Sequence, residues 1–201
     1  MTTLIIARHG NTFNKGDTPT RVGARTDLPL VESGKEQAMR IGAWLKDNSI
    51  TPDIAYCSNL QRTKQTAKIA LGTSENIIED SMFNEIDYGP DENQTEDVVI
   101  ARIGEDAIKQ WDQSAIVPNG WQFDPQACIQ NWKNFAEQIV AKNYGTVFVC
   151  TSNGIARFAP HLTGDFDGFA QQHSIKLSTG AIGILEYKTG QWVATEWNKK
   201  S

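Results

Sequence analysis

Short apolar runs alternate with helix-like repeats along this chain of 201 residues. Uninterrupted apolar runs, typical of buried strands, lie at positions 4–7, 54–57 and 147–150. Apolar residues recur at helical spacing in three segments, which are 33–48, 58–71 and 125–142. Strands that alternate with helices are typical of α/β proteins. The pattern therefore predicts an α/β three-layer sandwich, with helices on both faces of a mostly parallel central sheet.

Turn-forming residues predict where the first elements begin and end. Ser33 is expected to cap the first helix, and Asn48 to end it. Ser58 or Asn59 is expected to cap the second helix, which Gly72 stops. The apolar pairs at 77–78 and 82–83 then predict a short extended stretch.

Residues 88–127 interrupt the alternation. Turn signals at 89–90 and 118–120 bracket one predicted helix, Val98–Trp111. We expect this segment to form a cap or insertion packed over one edge of the sheet. The length of the chain otherwise fits a single domain over residues 1–201.

The C-terminal part is expected to contain a short helix, Gly154–Leu162, followed by a loop that carries His173. Apolar strands at 181–185 and 192–197 then predict a hairpin with a glycine in its turn. The tail, residues 199–201, is expected to be frayed.

Composition and charge narrow the choice of partners. The chain is 39% hydrophobic and 21% charged, with a formal net charge of −5, which is ordinary for a soluble globular protein. This charge gives no indication of a nucleic-acid or membrane partner. The N-terminal residues lack the pattern of a signal peptide, so we expect a cytoplasmic location. Cys57, Cys128 and Cys150 lack metal-ligand spacing and are expected to be buried thiols.

Polar residues follow three of the predicted strands. Arg8, His9 and Gly10 come after the first strand, Ser58 after the second, and Ser152 close behind the strand at 147–150. Because the carboxyl ends of parallel strands lie at one edge of a sheet, these residues are expected to converge on one site.

Two arginines around a histidine favour phosphate chemistry. Arg62 lies one helical turn after Ser58, from where its side chain can reach back to the sheet edge and flank His9 together with Arg8. Guanidinium groups bind phosphate oxygens in pairs and offset charge in a transition state. A neutral imidazole between them can act as a nucleophile and form a phosphohistidine.

Several blocks of the chain resemble the histidine phosphatase superfamily, which includes the phosphoglycerate mutases. The similar blocks are residues 8–12, 23–30, 58–67, 84–89, 149–157 and 177–187. The resemblance implies that His9 is the phosphorylated nucleophile and that Arg8 and Arg62 bind the phosphoryl group. It also implies that Glu85 donates a proton to the leaving oxygen, with Asp87 as the alternative acid. A metal or nucleotide cofactor is not expected, and the implied ligand is a small phosphorylated substrate.

Further residues are expected around this pocket. The resemblance places Thr12 and Thr26 in loops that line it. Arg21 and Arg25 either hold an anionic tail of the substrate or are surface charges of the loop that follows the first strand.

Other conspicuous side chains have structural interpretations. Arg157 is expected to form a structural ion pair. Trp111 and Trp121 are expected mainly to pack inside the cap, with stacking against a ligand as the alternative.

The chain departs from the family pattern after the strand at 147–150. The family usually has a second histidine there, where this chain has Ser152 followed by Asn153. Both side chains can donate a hydrogen bond to a phosphoryl oxygen, although without charge, and Ser152 can also cap the next helix. Backbone N–H groups around Gly154, or His173, are expected to compensate partly for the hydrogen bond that the second histidine would donate.

Three functions are compatible with these residues. The favoured one is a phosphomonoesterase that works through a phosphohistidine at His9. Phosphoryl transfer of the phosphoglycerate mutase type is an alternative, although those enzymes usually keep the second histidine. The other alternative is a phosphate- or phosphoester-binding protein with little turnover. Neither the pattern nor the composition predicts an oligomeric state.

Overall fold

A computed structural model describes residues 1–200, which contain one six-stranded sheet. The strands are β1 (Thr2–Arg8), β2 (Ile54–Cys57), β3 (Ile77–Glu79), β4 (Thr146–Thr151), β5 (Ala181–Lys188) and β6 (Gln191–Lys200). The helices are α1 (Glu32–Asp47), α2 (Gln61–Leu71), α3 (Glu96–Ile103), α4 (Glu105–Ser114), α5 (Pro125–Ala141), α6 (Asn153–Ala156) and α7 (Phe166–Gln172). Short 3-10 turns lie at Ser81–Phe83, Gly89–Asp91 and Ala159–Thr163.

The strand order is β3-β2-β4-β1-β5-β6, and the first four strands in this order are parallel to one another. The hairpin of β5 and β6 adds to β1 in the antiparallel direction. Arg8 lies opposite Thr151, and Cys57 lies opposite Cys150. The carboxyl ends of β1, β2 and β4 therefore meet at one edge, as the pattern of polar residues predicts.

Two apolar cores lie on the two faces of the sheet. On one face, Ile5 and Phe148 pack with Ile41 of α1 and Ala67 of α2. On the other face, alternate residues of the same strands pack with α5, whose Trp132 is fully buried. This arrangement confirms the three-layer α/β sandwich with a mostly parallel sheet.

The starts of the first two helices differ from the prediction, whereas their C-terminal ends at Asn48 and Gly72 agree with it. α1 begins at Glu32 after an extended Val31, and Ser33 accepts a hydrogen bond of 3.3 Å from Asn11 Nδ2 instead of capping the helix. Before α2, the Ser58 hydroxyl accepts from the backbone N–H of Leu60, so it stabilises the turn that leads into the helix. Gly72 ends α2 in the left-handed conformation, as predicted.

The predicted helix Val98–Trp111 is divided. Gly104, with φ 84° and ψ 155°, ends α3 and begins α4, because only glycine adopts this backbone conformation readily. Farther along the chain, the predicted helix Gly154–Leu162 is also divided, since Pro160 lacks the N–H that a continuous helix would use.

Smaller differences lie elsewhere in the chain. Residues 82–83 belong to a 3-10 turn and not to an extended stretch. Residues 199–200 are paired within β6 and are not frayed, whereas Ser201 lies outside the described residues. The cysteines are buried and free of disulfides, which confirms that prediction. Within residues 1–200, no helix combines the length and apolarity needed to cross a bilayer.

Candidate active site

His9 follows β1 directly and is held by a neighbour at each ring nitrogen. Its Nδ1 lies 2.8 Å from the carbonyl oxygen of Gly10, and Arg62 Nε donates to its Nε2 at 3.2 Å. Because an arginine Nε can only donate, Nε2 must carry a lone pair and Nδ1 the proton. The ring is therefore neutral, with a lone pair on Nε2.

Burial supports this neutral form. His9 is 7% exposed, and burial together with the charges of Arg62 and Arg8 lowers its pKa well below the usual value of 6.5. Removing the ring from water and placing two cations beside it both disfavour imidazolium. His9 is consequently kept neutral at physiological pH.

Arg62 is fully buried on the inner face of α2, and loop carbonyls bind much of its guanidinium. Nη1 donates to Thr26 O at 2.9 Å, and Nη2 donates to Val22 O and Gly23 O at 3.3 and 3.1 Å. In this state the side chain braces the loop that follows β1 while it contacts His9. The sequence places Arg62 beside His9 but gives no sign of these backbone contacts.

Thr66 is a site residue that the sequence reasoning missed. Its hydroxyl donates to Arg62 O at 2.7 Å and accepts from the backbone N–H of Gly10 at 3.1 Å, so it links α2 to the loop of His9. The available signal was its position one helical turn after Arg62, on the same buried face.

Gly10 allows a close approach between the loop and α1. A Cβ at Gly10 would lie 2.2 Å from the carbonyl oxygen of Gly34, which is impossible without movement of the backbone. The glycine thus brings the loop against the first turn of α1 and fixes the position of the preceding His9.

Arg8 has a polar atom with no partner. Its Nη1 donates to Leu177 O at 2.7 Å, but its Nε is buried without a hydrogen-bond partner among residues 1–200. Burial lowers the pKa of this guanidinium, partly offset by the charge of Glu85. A buried donor without an acceptor is costly, so this N–H is suited to an oxyanion.

Glu85 is 6% exposed and is oriented by two backbone N–H groups. Ile86 N donates to Oε1 at 2.9 Å, and Gly154 N donates to Oε2 at 3.1 Å. A Cβ at Gly154 would lie 2.1 Å from Oε1, so a side chain at this position would displace the carboxylate. The other acid, Asp87, is bound by Arg25 and by the N–H of Gly89.

A buried hydroxyl lies where the resemblance implies a second histidine. Ser152 is fully buried, and its Oγ makes no hydrogen bond to residues 1–200 and does not cap α6. Asn153 instead accepts from the backbone N–H of Leu177 at 2.9 Å. Of the groups expected to compensate, the N–H of Gly154 already donates to Glu85, and His173 is exposed beside Phe169.

A cavity of about 790 Å³ opens above these residues. Among the predicted site residues, those that line it are Arg8, His9, Thr12, Arg21, Glu85 and Asn153. Thr26 hydrogen-bonds to Glu92 and Arg25 pairs with Asp87, and neither side chain lines the cavity. The lining of the cavity therefore includes a histidine, arginines and a carboxylate, whereas Arg62 and Ser152 are not part of it.

Arg21 matches neither of its two predicted roles fully, since it lines the cavity but is paired with a carboxylate. It lines the cavity, but its Nη2 pairs with Glu96 at 2.8 Å and its guanidinium lies 5.0 Å from the Trp121 ring. Its charge is thus already matched by a carboxylate, and it holds α3 against the loop after β1.

The predicted ion pair of Arg157 is wrong. Within the described residues Arg157 has no carboxylate partner, and it lies over the ring of Trp111 at 3.9 Å. Trp111 and Trp121 pack against each other as expected, although Trp111 also lines the cavity.

Comparison with known proteins agrees with this geometry. Residues 4–200 match the model of the histidine phosphatase superfamily (branch 1). The chain belongs to this superfamily. The match covers the blocks around His9, Arg62 and Glu85, which carried the resemblance.

Curated members of the superfamily are similar over part of the chain. A 2,3-bisphosphoglycerate-dependent phosphoglycerate mutase from Rhizobium etli is 32% identical over 122 residues, or 59% of this chain and 57% of that protein. One from Mycobacterium leprae is 28% identical over 171 residues, or 80% of this chain and 65% of that protein. The chain thus spans less than two thirds of these mutases.

Solved structures match over the whole chain. Bacillus stearothermophilus YhfR gives a TM-score of 0.80 at 23% identity, with 100% of this chain and 98% of that chain covered. A mycobacterial glucosyl-3-phosphoglycerate phosphatase gives 0.80 at 17% identity, with 99% of both chains covered. The α-ribazole phosphatase of Shigella flexneri gives 0.76 at 20%, with 99% and 97% covered. These matches show the shared fold.

Proposed function

We propose that this protein is a phosphomonoesterase that acts through a phosphohistidine at His9. The carrying observation is that Nε2 of His9 is unprotonated and accepts from Arg62 Nε, and that His9 lines one cavity together with Arg8 and Glu85. A nucleophile of this kind needs a free lone pair and cations close to the transferred group. The fold shared with the α-ribazole phosphatase and the glucosyl-3-phosphoglycerate phosphatase supports the proposal.

In the proposed reaction, the Nε2 lone pair attacks phosphorus while the bond from phosphorus to the leaving oxygen breaks. Arg8 Nε, which lacks a partner, donates to a phosphoryl oxygen, and the Arg62 Nε–H passes from Nε2 to another. Glu85 gives a proton to the leaving oxygen. Water then attacks the phosphohistidine, and Glu85 takes up a proton as phosphate is released.

The cap also belongs to this proposal. Residues 88–127 bring Trp111 and Asp112 to the cavity, opposite the strand ends. We assign this segment to a single domain with the rest of the chain. We also propose that it forms the entrance of the cavity and selects the leaving group. Thr12 and Asn153 line the same space and are assigned to phosphoryl binding, as is the buried Ser152.

Hydrolysis of para-nitrophenyl phosphate by the wild type and by His9→Ala tests the proposal. We expect the wild type to release phosphate and His9→Ala to lose at least about 10³-fold in kcat. His173→Ala is the matched control, because His173 is exposed and lies outside the cavity. Equal rates for the wild type and His9→Ala would refute the proposal.

Phosphoglycerate mutase activity is the second candidate, supported by the identity to curated mutases. Conversion of 3-phosphoglycerate to 2-phosphoglycerate, followed by phosphorus NMR, distinguishes the two reactions. A phosphatase releases inorganic phosphate, whereas a mutase accumulates the isomer.

Phosphate binding with little turnover is the third candidate, and the replacement of an imidazole by Ser152 supports it. Rapid acid-free quenching after addition of a radiolabelled phosphate ester decides this point. Acid-labile label on His9 excludes a purely binding protein, whereas vanadate binding without any label supports one.

A further inference from the structure

Arg157 brings a buried positive charge to the cavity without a carboxylate partner. It is 1% exposed, and it lines the same cavity as His9. Its contacts are the carbonyl oxygens of Asn153 and Trp111, which accept from Nε at 3.3 Å and from Nη1 at 2.6 Å. Nη2 has no acceptor among residues 1–200, so part of the guanidinium edge is unused.

The acids that line the cavity are engaged elsewhere. Backbone N–H groups bind both oxygens of Glu85, Arg21 pairs with Glu96, and Lys176 pairs with Asp112 at 2.8 Å. Lys15 is exposed, so solvent stabilises its charge. Arg157 is buried and lacks this stabilisation. Among the cavity cations not assigned to the phosphoryl group, Arg157 is thus the buried one without a salt bridge within residues 1–200.

A buried cation of this kind is costly unless an anion pairs with it. Burial lowers the pKa of Arg157 to about 10, so the side chain still carries its charge at neutral pH. Trp111 covers one face of the guanidinium at 3.9 Å, which holds the plane and leaves its edge for a ligand. The unused positive charge therefore fits an anionic group of the substrate.

The chemistry of the surroundings favours a carboxylate over a second phosphate. A guanidinium binds a carboxylate through two parallel N–H groups, and one positive charge matches one negative charge. Glu85 and Asp112 line the same cavity as Arg157, and they repel a doubly charged phosphate more strongly than a singly charged carboxylate.

We propose that Arg157 forms a subsite for a carboxylate on the leaving group of the phosphorylated substrate. The inference rests on the proposed function, since it places the phosphoryl group against His9 and the carboxylate under the cap. It deepens that function by assigning the substrate class, a phosphomonoester that also carries a carboxylate. Arg157 acts here in substrate specificity and not in phosphoryl transfer.

Phosphoserine and phosphoethanolamine test the subsite, because they differ by one carboxylate. Binding is measured by titration calorimetry in the His9→Ala background, so that neither ligand is turned over. We expect His9→Ala to bind phosphoserine about 10- to 100-fold more tightly than phosphoethanolamine, the effect of a charged hydrogen-bonded pair. Adding Arg157→Gln should remove most of this preference, and Arg157→Lys should leave an intermediate one.

Arg40→Gln is the control, since Arg40 is exposed on α1 and should leave the preference unchanged. Equal affinity of the two ligands before Arg157 is altered overturns the inference, whether or not the Arg157 variants fold. A preference that survives in a folded Arg157→Gln protein overturns it too. Hydrolysis by the wild type is measured separately, so failure of the phosphatase proposal is distinguishable from failure of the subsite.

Discussion

Arg62 Nε donates a hydrogen bond of 3.2 Å to Nε2 of His9, the atom proposed to attack phosphorus. The same guanidinium binds three carbonyl oxygens of the loop after β1. One side chain therefore fixes the tautomer of the nucleophile and the shape of the loop around it. Because both tasks depend on the planar fork of arginine, the charge alone cannot replace it.

Replacing Arg62 with lysine tests this dependence. We expect Arg62→Lys to lower kcat/KM for para-nitrophenyl phosphate by about 10²- to 10³-fold, as when a preorganised oxyanion donor is lost. Arg40→Lys, on the exposed face of α1, should retain the wild-type rate. A lysine variant as active as the wild type would show that charge, not geometry, is what the site needs.

The pH dependence of kcat/KM follows from the lowered pKa of His9. Burial and the two arginines keep His9 neutral below the pH at which an ordinary histidine gains a proton, about 6.5. We expect no loss of kcat/KM assignable to His9 as pH falls from about 7.5 to 6, because the neutral form persists there. An acidic limb centred near 6.5 that His173→Ala leaves in place would contradict this.

The lowered pKa of His9 should also make the free energy of unfolding decline as pH falls. The unfolded chain binds a proton at His9 below about pH 6.5, whereas the folded chain does not until the pH is much lower. The contribution of His9 to stability is therefore complete above about pH 6.5 and declines as pH falls toward the folded pKa. Urea unfolding at a series of pH values should show a smaller decline for His9→Asn than for the wild type.

Ser152→Ala separates stability from function. The Ser152 hydroxyl is buried without a partner within residues 1–200, so its removal should leave the free energy of unfolding unchanged or raise it by about 1 kcal/mol. If the hydroxyl donates to a bound phosphoryl group, kcat/KM should fall roughly fivefold to tenfold, the effect of one neutral hydrogen bond. An unchanged rate together with unchanged stability would remove Ser152 from the site.

Gly154→Ala should affect the proton donor. The new Cβ would lie 2.1 Å from Glu85 Oε1, so the carboxylate must move. We expect a loss of about 10²-fold for glycerol phosphate, whose leaving group needs a proton, and a much smaller loss for para-nitrophenyl phosphate. Glu85→Gln is the reference, and both variants should show the same leaving-group dependence. Equal losses for the two esters would argue against this role of Glu85.

Much of the fold follows from the order of apolar and polar positions. Continuous apolar runs identified β1, β2 and β4, and the residues behind them identified the edge where His9, Ser58 and Ser152 lie. The ends of helices were less predictable where the backbone conformation of a single residue determines them. Gly104 divides a helix that side-chain periodicity alone predicts as continuous, and Pro160 divides another.

The sequence by itself determined the α/β sandwich, the family, and the proximity of His9 to Arg62, because hydrophobic periodicity and strand-end motifs are local properties of the chain. Only the tertiary structure decided which hydrogen-bond donors and charged groups already have partners within the protein. Arg157 shows this most clearly, since a sequence cannot reveal that every cavity carboxylate has another partner. Such pairings join residues that are distant in the chain, so packing determines which charges remain for a ligand.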